Sequence, residues 1–265
     1  MGKTKIQWAT KVWNPVTGCT KISEGCEHCY AEMFAKRLQK NPNKKVADKY
    51  FYGFNPFTHP ESLSEPSTWK KPERVFVCSM GDLFHENIPF SFIAKVINVI
   101  KENSSHTFMI LTKRPEIMAK FFNDYGGHIN LKNEYPNLWL GVTAENQQRA
   151  NERIPILLQI PAAIRFVSIE PMLGPINIIK WTPIPSEIIK NIFFTEKIDW
   201  IICGGETGNN STVRAMEYSW VTSLKSACDY ANIPFFFKQW AGKSKISTID
   251  AVEYKQFPIT KPNNK

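Results

Sequence analysis

Three thiols crowd one short stretch. In "NPVTGCTKISEGCEHCYAEMFAKR", Asn14 to Arg37, Cys19, Cys26 and Cys29 stand in the spacing C-x6-C-x2-C. Thiolates hold soft or borderline metals, and their number sets the chemistry. Four protein ligands close a zinc site and leave it structural. Three thiolates on a cubic iron–sulfur cluster fix three irons and leave the fourth open to a small ligand. The x2 gap presents two sulfurs from one turn of chain. The longer gap lets the loop wrap the other side. Gly18 and Gly25 each precede a cysteine, where a permissive backbone helps a loop close. "YAEMFAKRL" from Tyr30 reads as a helix starting beside the thiols. A Cys3His zinc site completed by His28, His59 or His85 stands as the alternative. Cys78, Cys203 and Cys228 read as core filler.

A second set of reactive groups recurs at the ends of apolar runs. These are Ser79 and Asp82, Lys113 and Arg114, Thr143 and Glu145, Glu170, Glu206, and Lys238 with Gln239. Such charges can build a shared site. They can equally brace the fold as ion pairs, because an unpaired buried charge is too costly.

Those runs define the elements. "RVFVCSMGD", "TFMILTKRP", "LWLGVTAEN", "IRFVSIEPMLG", "DWIICGGETG" and "PFFFKQWAG" read as six strands, and a segment near Val12 makes seven. Amphipathic stretches lie between them. "PFSFIAKVINVIKEN" has helical spacing, with Phe92, Val96, Val99 and Ile100 on one face. Further helices are expected near Glu116 to Asn123 and Tyr218 to Tyr230. Strands alternating with helices imply βαβ units and a parallel sheet. Without Gly-x-Gly-x-x-Gly after the early strands, a dinucleotide-binding sheet is disfavoured. A partial or near-complete TIM-like (βα) barrel is expected, since such barrels gather their sites at C-terminal strand ends.

One barrel domain over 1–242 is expected, with insertions at about 38–73 and 175–197 and a polar, basic tail over 243–265. The first insertion contains "KYFYGFNPF", whose rings either pack onto the barrel or form a base-stacking surface.

The formal charge is +9 over 265 residues. Residues 1–50 carry ten Lys/Arg against four Asp/Glu, 51–238 carry eighteen of each, and 239–265 carry five against two. The positive charge thus sits in the cysteine segment and the tail, which suits a polyanionic partner near the cysteines. The same lysines would also serve as a plain solvated surface. Hydrophobic content of 43% and aromatic content of 13% exclude disorder. No apolar run reaches the roughly 18 residues of a membrane span, and "MGKTKIQWATK" lacks a signal-peptide core. A cytoplasmic protein with reduced thiols is expected.

A first strand, a three-cysteine loop, a helix and further βα units resemble the radical S-adenosylmethionine (SAM) superfamily. That superfamily's usual motif is C-x3-C-x-aromatic-C. Here the first gap is longer, and His28 stands at the aromatic position. "WNPVTGCTKISEGCEHCYAE", "LTKRP", "GVTAEN" and "SIEPMLGP" resemble more closely a phage and bacterial family of three-Cys-motif proteins, over roughly Ile6 to Gly242. The superfamily resemblance implies that Cys19, Cys26 and Cys29 ligate a [4Fe-4S] cluster. SAM would chelate its open iron and, on receiving an electron from an external donor, yield a 5′-deoxyadenosyl radical. By the same resemblance, Gly81 and Asp82 stand where a Gly-Gly-Glu-like turn holds SAM's amino group. Glu145 or Asn146 would meet the ribose, and Gly204 and Gly205 the adenine or substrate. Lys113, Glu170, Glu206 and Lys238 are the catalytic candidates. The substrate expected from the basic segment is a nucleotide or nucleic acid, undergoing base modification, rearrangement or repair. The alternative is a nucleic-acid-binding protein whose cysteines hold zinc or a cluster without catalysis.

Overall fold

A computed structural model describes residues 4–125, 131–182, 197–208, 212–243 and 246–259. Seven strands form its main sheet: β1 (Lys11–Trp13), β2 (Arg74–Val77), β3 (Thr107–Thr112), β4 (Leu138–Thr143), β5 (Ile164–Ile169), β6 (Trp200–Cys203) and β7 (Phe235–Phe237). Their order in the sheet is their order in the chain. The registers of β1–β2, β2–β3, β3–β4, β5–β6 and β6–β7 are parallel. The fold is mixed α/β, and all seven strands expected from sequence are present. A doubly wound sheet reverses its strand order partway. This one does not, which is the order of a partial barrel.

The strands are legible as apolar runs because parallel strands are covered on both faces. All six residues of β4 and all three phenylalanines of β7 are buried. The helix Phe90–Glu102 buries Phe92, Ile93, Val96, Ile97 and Ile100. Its stripe is therefore rotated slightly from the expected one, and Val99 is only half-buried. The next helix, Pro115–Lys120, ends in a π-helical turn over Phe121–Tyr125.

By contacts the chain divides into two compact units, one of residues 1–142 with 159–163, the other of 143–158 with 164–265. In the first, the expected insertion forms a short helix (Lys44–Lys49) and a strand, Phe57–Thr58, that pairs antiparallel with Val16–Thr17. Of its rings, Tyr50 is buried and Phe54 packs beside it, while Phe51, Tyr52 and Phe57 are exposed. In the second, the later insertion keeps Ile179–Trp181 as a turn with Trp181 buried. Its residues 183–196 lie outside the described residues. The segment read as a tail returns to the sheet. Tyr254 O accepts from Phe237 N, Gln256 Oε1 accepts from Phe235 N, and Phe257 packs on Trp200 and Phe236. Among the described residues no helix is long and apolar enough to cross a membrane.

Candidate functional site

The cysteine loop leaves β1 and ends at the helix Tyr30–Leu38, whose N-cap is Cys29. Cys26 closes a 3-10 turn, its N–H donating to Ser23 O. All six cysteines are free thiols; Cys19 and Cys29 are half-buried and Cys26 is buried. Two glycines let the loop approach β2. Gly18 has φ of +83°, and a Cβ there would lie 2.1 Å from Asn55 O. Gly81 pairs with it, and a Cβ there would come within 2.8 Å of Gly18 O. Side chains across this contact would push the cysteine loop off the strand end.

Arg114, buried at the end of β3, ties the loop down. Its Nη1 donates to Cys19 Sγ (3.2 Å) and to Asp82 (3.4 Å), its Nε to Glu86 (2.7 Å), and its Nη2 to Thr20 O (3.2 Å) and Oγ1 (2.7 Å). Asp82 is buried and also accepts from Thr112 Oγ1, Phe84 N and Lys113 N. His85 Nδ1 accepts from Asn87 N (3.1 Å). The proton of the neutral ring therefore lies on Nε2, which donates to Thr20 Oγ1 at 2.9 Å. Burial and Arg114 hold this imidazole below its ordinary value.

The thiols are electrostatically unequal. Burial and then Asp82 push Cys19 up to about 12, against the opposing pull of Arg114. Burial also raises Cys26. There the Lys113 ammonium and bonds from Ile22 and Ser23 outweigh it, and the thiol lies below its usual range.

Among the described residues no three His, Cys, Asp or Glu side chains are placed together to hold a metal ion. The histidines are engaged elsewhere. His59 meets Thr17 Oγ1 at 2.7 Å and Glu61 at 3.2 Å, His85 meets Thr20, and His28 is exposed. The donor set is three free thiols on one loop, with no fourth protein ligand brought to it among the described residues. By residue type this set could serve a three-thiolate cluster or, with a histidine, a zinc ion.

The structure thus brings Cys19, Asp82, the Lys113 backbone and Arg114 together, with Gly81 serving the backbone contact. Asp82 is occupied by its own network, so it orients Arg114 and is a poor receptor for a ligand's amino group. Cys26, Cys29 and Ser79, which donates to Asn14 Oδ1 at 3.2 Å, belong to the same first unit, and the strand-end residues from Thr143 onward lie in the second. There Glu145, fully buried, accepts from Arg153 at 2.8 Å, and Arg153 also donates to Thr143 O. Asn146 caps its helix by accepting from Arg149 N. Glu206 is clamped by the Arg214 backbone and guanidinium. Glu170 pairs with Lys238. A Cβ on Gly204 would meet Lys238 Cβ at 3.3 Å and Glu170 Cδ at 3.5 Å, and one on Gly205 would lie 2.3 Å from Ala241 N. Gly204 and Gly205 are therefore packing glycines as well as candidate ligand contacts. Sequence reasoning missed Arg153, Arg214, Thr20 and Glu86. Arg153 had a signal: an Asn146 N-cap brings a residue two turns on back toward the strand end.

No curated protein and no solved structure matches the chain. Over residues 3–257 it matches the family described as "Protein of unknown function (DUF5131)", and it belongs to that family.

Proposed function

We propose that the chain is a radical SAM-type enzyme acting on a nucleotide or nucleic acid, with Cys19, Cys26 and Cys29 as the ligands of a [4Fe-4S] cluster. One observation carries the reading. Three free thiols ride a loop that leaves the first strand of a parallel sheet wound in chain order, and a buried arginine pins that loop to the ends of the next two strands. When bound and reduced, the cluster supplies one-electron cleavage of SAM to methionine and a 5′-deoxyadenosyl radical. The chain's own residues prepare for it. Arg114 holds Cys19 and Thr20, and Asp82 and Glu86 hold Arg114. Lys113 favours the thiolate of Cys26, which is the form that ligates. Lys238 and Glu170 offer a proton donor and acceptor beside Gly204.

Anaerobic purification tests this. The expectation is brown protein with about four irons per chain, and 5′-deoxyadenosine formed on reduction with SAM. Cys19→Ala, Cys26→Ala and Cys29→Ala should each lose iron, while Cys78→Ala keeps it. Colourless protein carrying one zinc would refute the reading. It would favour instead a nucleic-acid-binding protein without catalysis, a role that the exposed rings beside the loop also support.

A further inference from the structure

The helix Tyr30–Leu38 has two apolar faces. Ala31 and Ala35 are buried against Tyr50 and Met80, with Leu38 and Phe54 beside them. The other face carries Tyr30, Met33, Phe34 and Arg37, an i, i+3, i+4, i+7 stripe that normally marks a core. Here it is open. Tyr30 is 48% exposed, Met33 54% and Phe34 47%. Arg37 lies over the Phe34 ring at 5.3 Å, and the Tyr30 hydroxyl is anchored on Ser79 O at 2.6 Å. A second group follows in the chain. Phe51 (68%), Tyr52 (55%) and Phe57 (44%) are exposed, with ring centroids 5.2 and 5.0 Å apart in succession. Gln39 Nε2 donates to Phe51 O and joins the helix end to this group. Apolar side chains exposed singly are ordinary; a stripe and three adjacent rings in one segment mark a binding surface.

Charge selects the occupant. Residues 30–58 carry six Lys/Arg and two Asp/Glu. Lys36, Arg37, Lys40, Lys44 and Lys45 are exposed, and of the two acids Glu32 is paired with Lys36 and Lys21. Protein-binding patches are depleted in lysine. Cations interleaved with open rings suit a ligand with phosphates and flat bases. We infer that the segment 30–58 binds single-stranded nucleic acid, bases stacking on Phe34, Phe51 and Tyr52 while Arg37, Lys40, Lys44 and Lys45 meet phosphates. The inference rests on the proposed function, whose substrate class it names, but binding itself needs no cluster, so the two fail separately.

The test is fluorescence anisotropy of the full chain with labelled oligothymidylate and oligouridylate, against a duplex competitor. Binding to either single strand is expected, weakening with salt. Phe34→Ala and Phe51→Ala should each weaken it about tenfold, with melting temperatures unchanged because both rings are exposed. Phe51→Trp should bind at least as well. Lys44→Glu with Lys45→Glu should flatten the salt dependence by about 1.4 in log–log slope. Unchanged affinity in the ring variants, or preference for the duplex, would overturn the inference. So would a dimer in sedimentation that the ring variants abolish, since the face would then be a contact between copies. SAM cleavage, assayed separately, scores the enzymatic reading: binding without cleavage sinks that reading alone, and cleavage without binding sinks this inference alone.

Discussion

Replacing Arg114 by alanine removes a side chain that bonds the cysteine loop to two acids at once. Arg114 is 5% exposed, and its guanidinium contacts Asp82, Glu86, Cys19 and Thr20. Breaking a buried ion pair costs about 3–5 kcal/mol, because the partner charge stays behind. Two features favour the lower end. The Asp82 contact is long, at 3.4 Å, and Asp82 keeps Thr112, Phe84 N and Lys113 N as donors. Glu86 is half-exposed and recovers water. About 3 kcal/mol is therefore expected, which at roughly 2–4 °C per kcal/mol lowers the melting temperature by about 6–12 °C. Arg114→Lys keeps the charge but loses the fork, so it should recover about half of that loss. Calorimetry gives the global number, and hydrogen exchange over Gly18–Cys26 reports the loop. A melting temperature within about 1 °C of the parent, or unchanged loop exchange, would refute the claim that Arg114 pins the thiols.

Two further expectations concern packing and pH. Gly205→Ala must displace Ala241 backbone, and Gly18→Ala must displace Asn55 backbone at a φ of +83°; each should cost at least about 1–3 kcal/mol in urea titration, whereas Gly53→Ala, where a Cβ meets nothing within 4 Å, should cost only the backbone strain of its φ of +67°, about 1 kcal/mol. Burial and Lys49 hold His59 low, as burial and Arg114 do His85. Both pKa values fall on folding, so the unfolded chain binds more protons. Stability is present at neutral pH and lost as pH falls through about 6.5, the unfolded value, toward the folded ones. Melting curves against pH should show this slope, and it should shrink in His59→Gln and His85→Gln; an unchanged slope in both would count against it.

The sheet could be read because strands covered on both faces leave uninterrupted apolar runs, and β4 and β7 are such runs. The helix Tyr218–Tyr230 was readable from its apolar spacing, and the cysteine loop from its spacing alone. Short-range pairings of two residues, such as Val16–Thr17 with Phe57–Thr58, carry no period to detect. "KYFYGFNPF" was ambiguous for a steric reason. Consecutive rings cannot all face inward, so Tyr50 went in while Phe51 and Tyr52 stayed out. The partners of Glu145 and Glu206 were harder to read, since Arg153 and Arg214 come eight residues later; only Arg153 left a trace, through the Asn146 N-cap, and Arg214 had none. The returning segment around Phe257 was hidden by the lysines and polar residues on either side of it.

The strand-end charges divide into two kinds once their partners are known. Asp82, Glu145 and Glu206 are each buried and each held by an arginine; Arg114 and Arg153 also grip a backbone carbonyl, and Arg214 adds its own N–H to Glu206. Such forks set geometry, and releasing one to a ligand would strand a charge. The Glu170–Lys238 pair differs. Its side chains are 21% and 20% exposed, its cation is a flexible ammonium, and Gly204 removes the side chain that would fill the space beside it. Both partners can turn to a ligand at small cost, since partly exposed pairs contribute about 0–1 kcal/mol. Lys238→Met should therefore barely move the melting temperature yet abolish turnover in the SAM-dependent assay. Arg153→Met, which leaves Glu145 buried without its guanidinium, should cost about 3–5 kcal/mol. If the two variants melt alike, Lys238 is a brace like the others, and the catalytic assignment within the second unit falls with it.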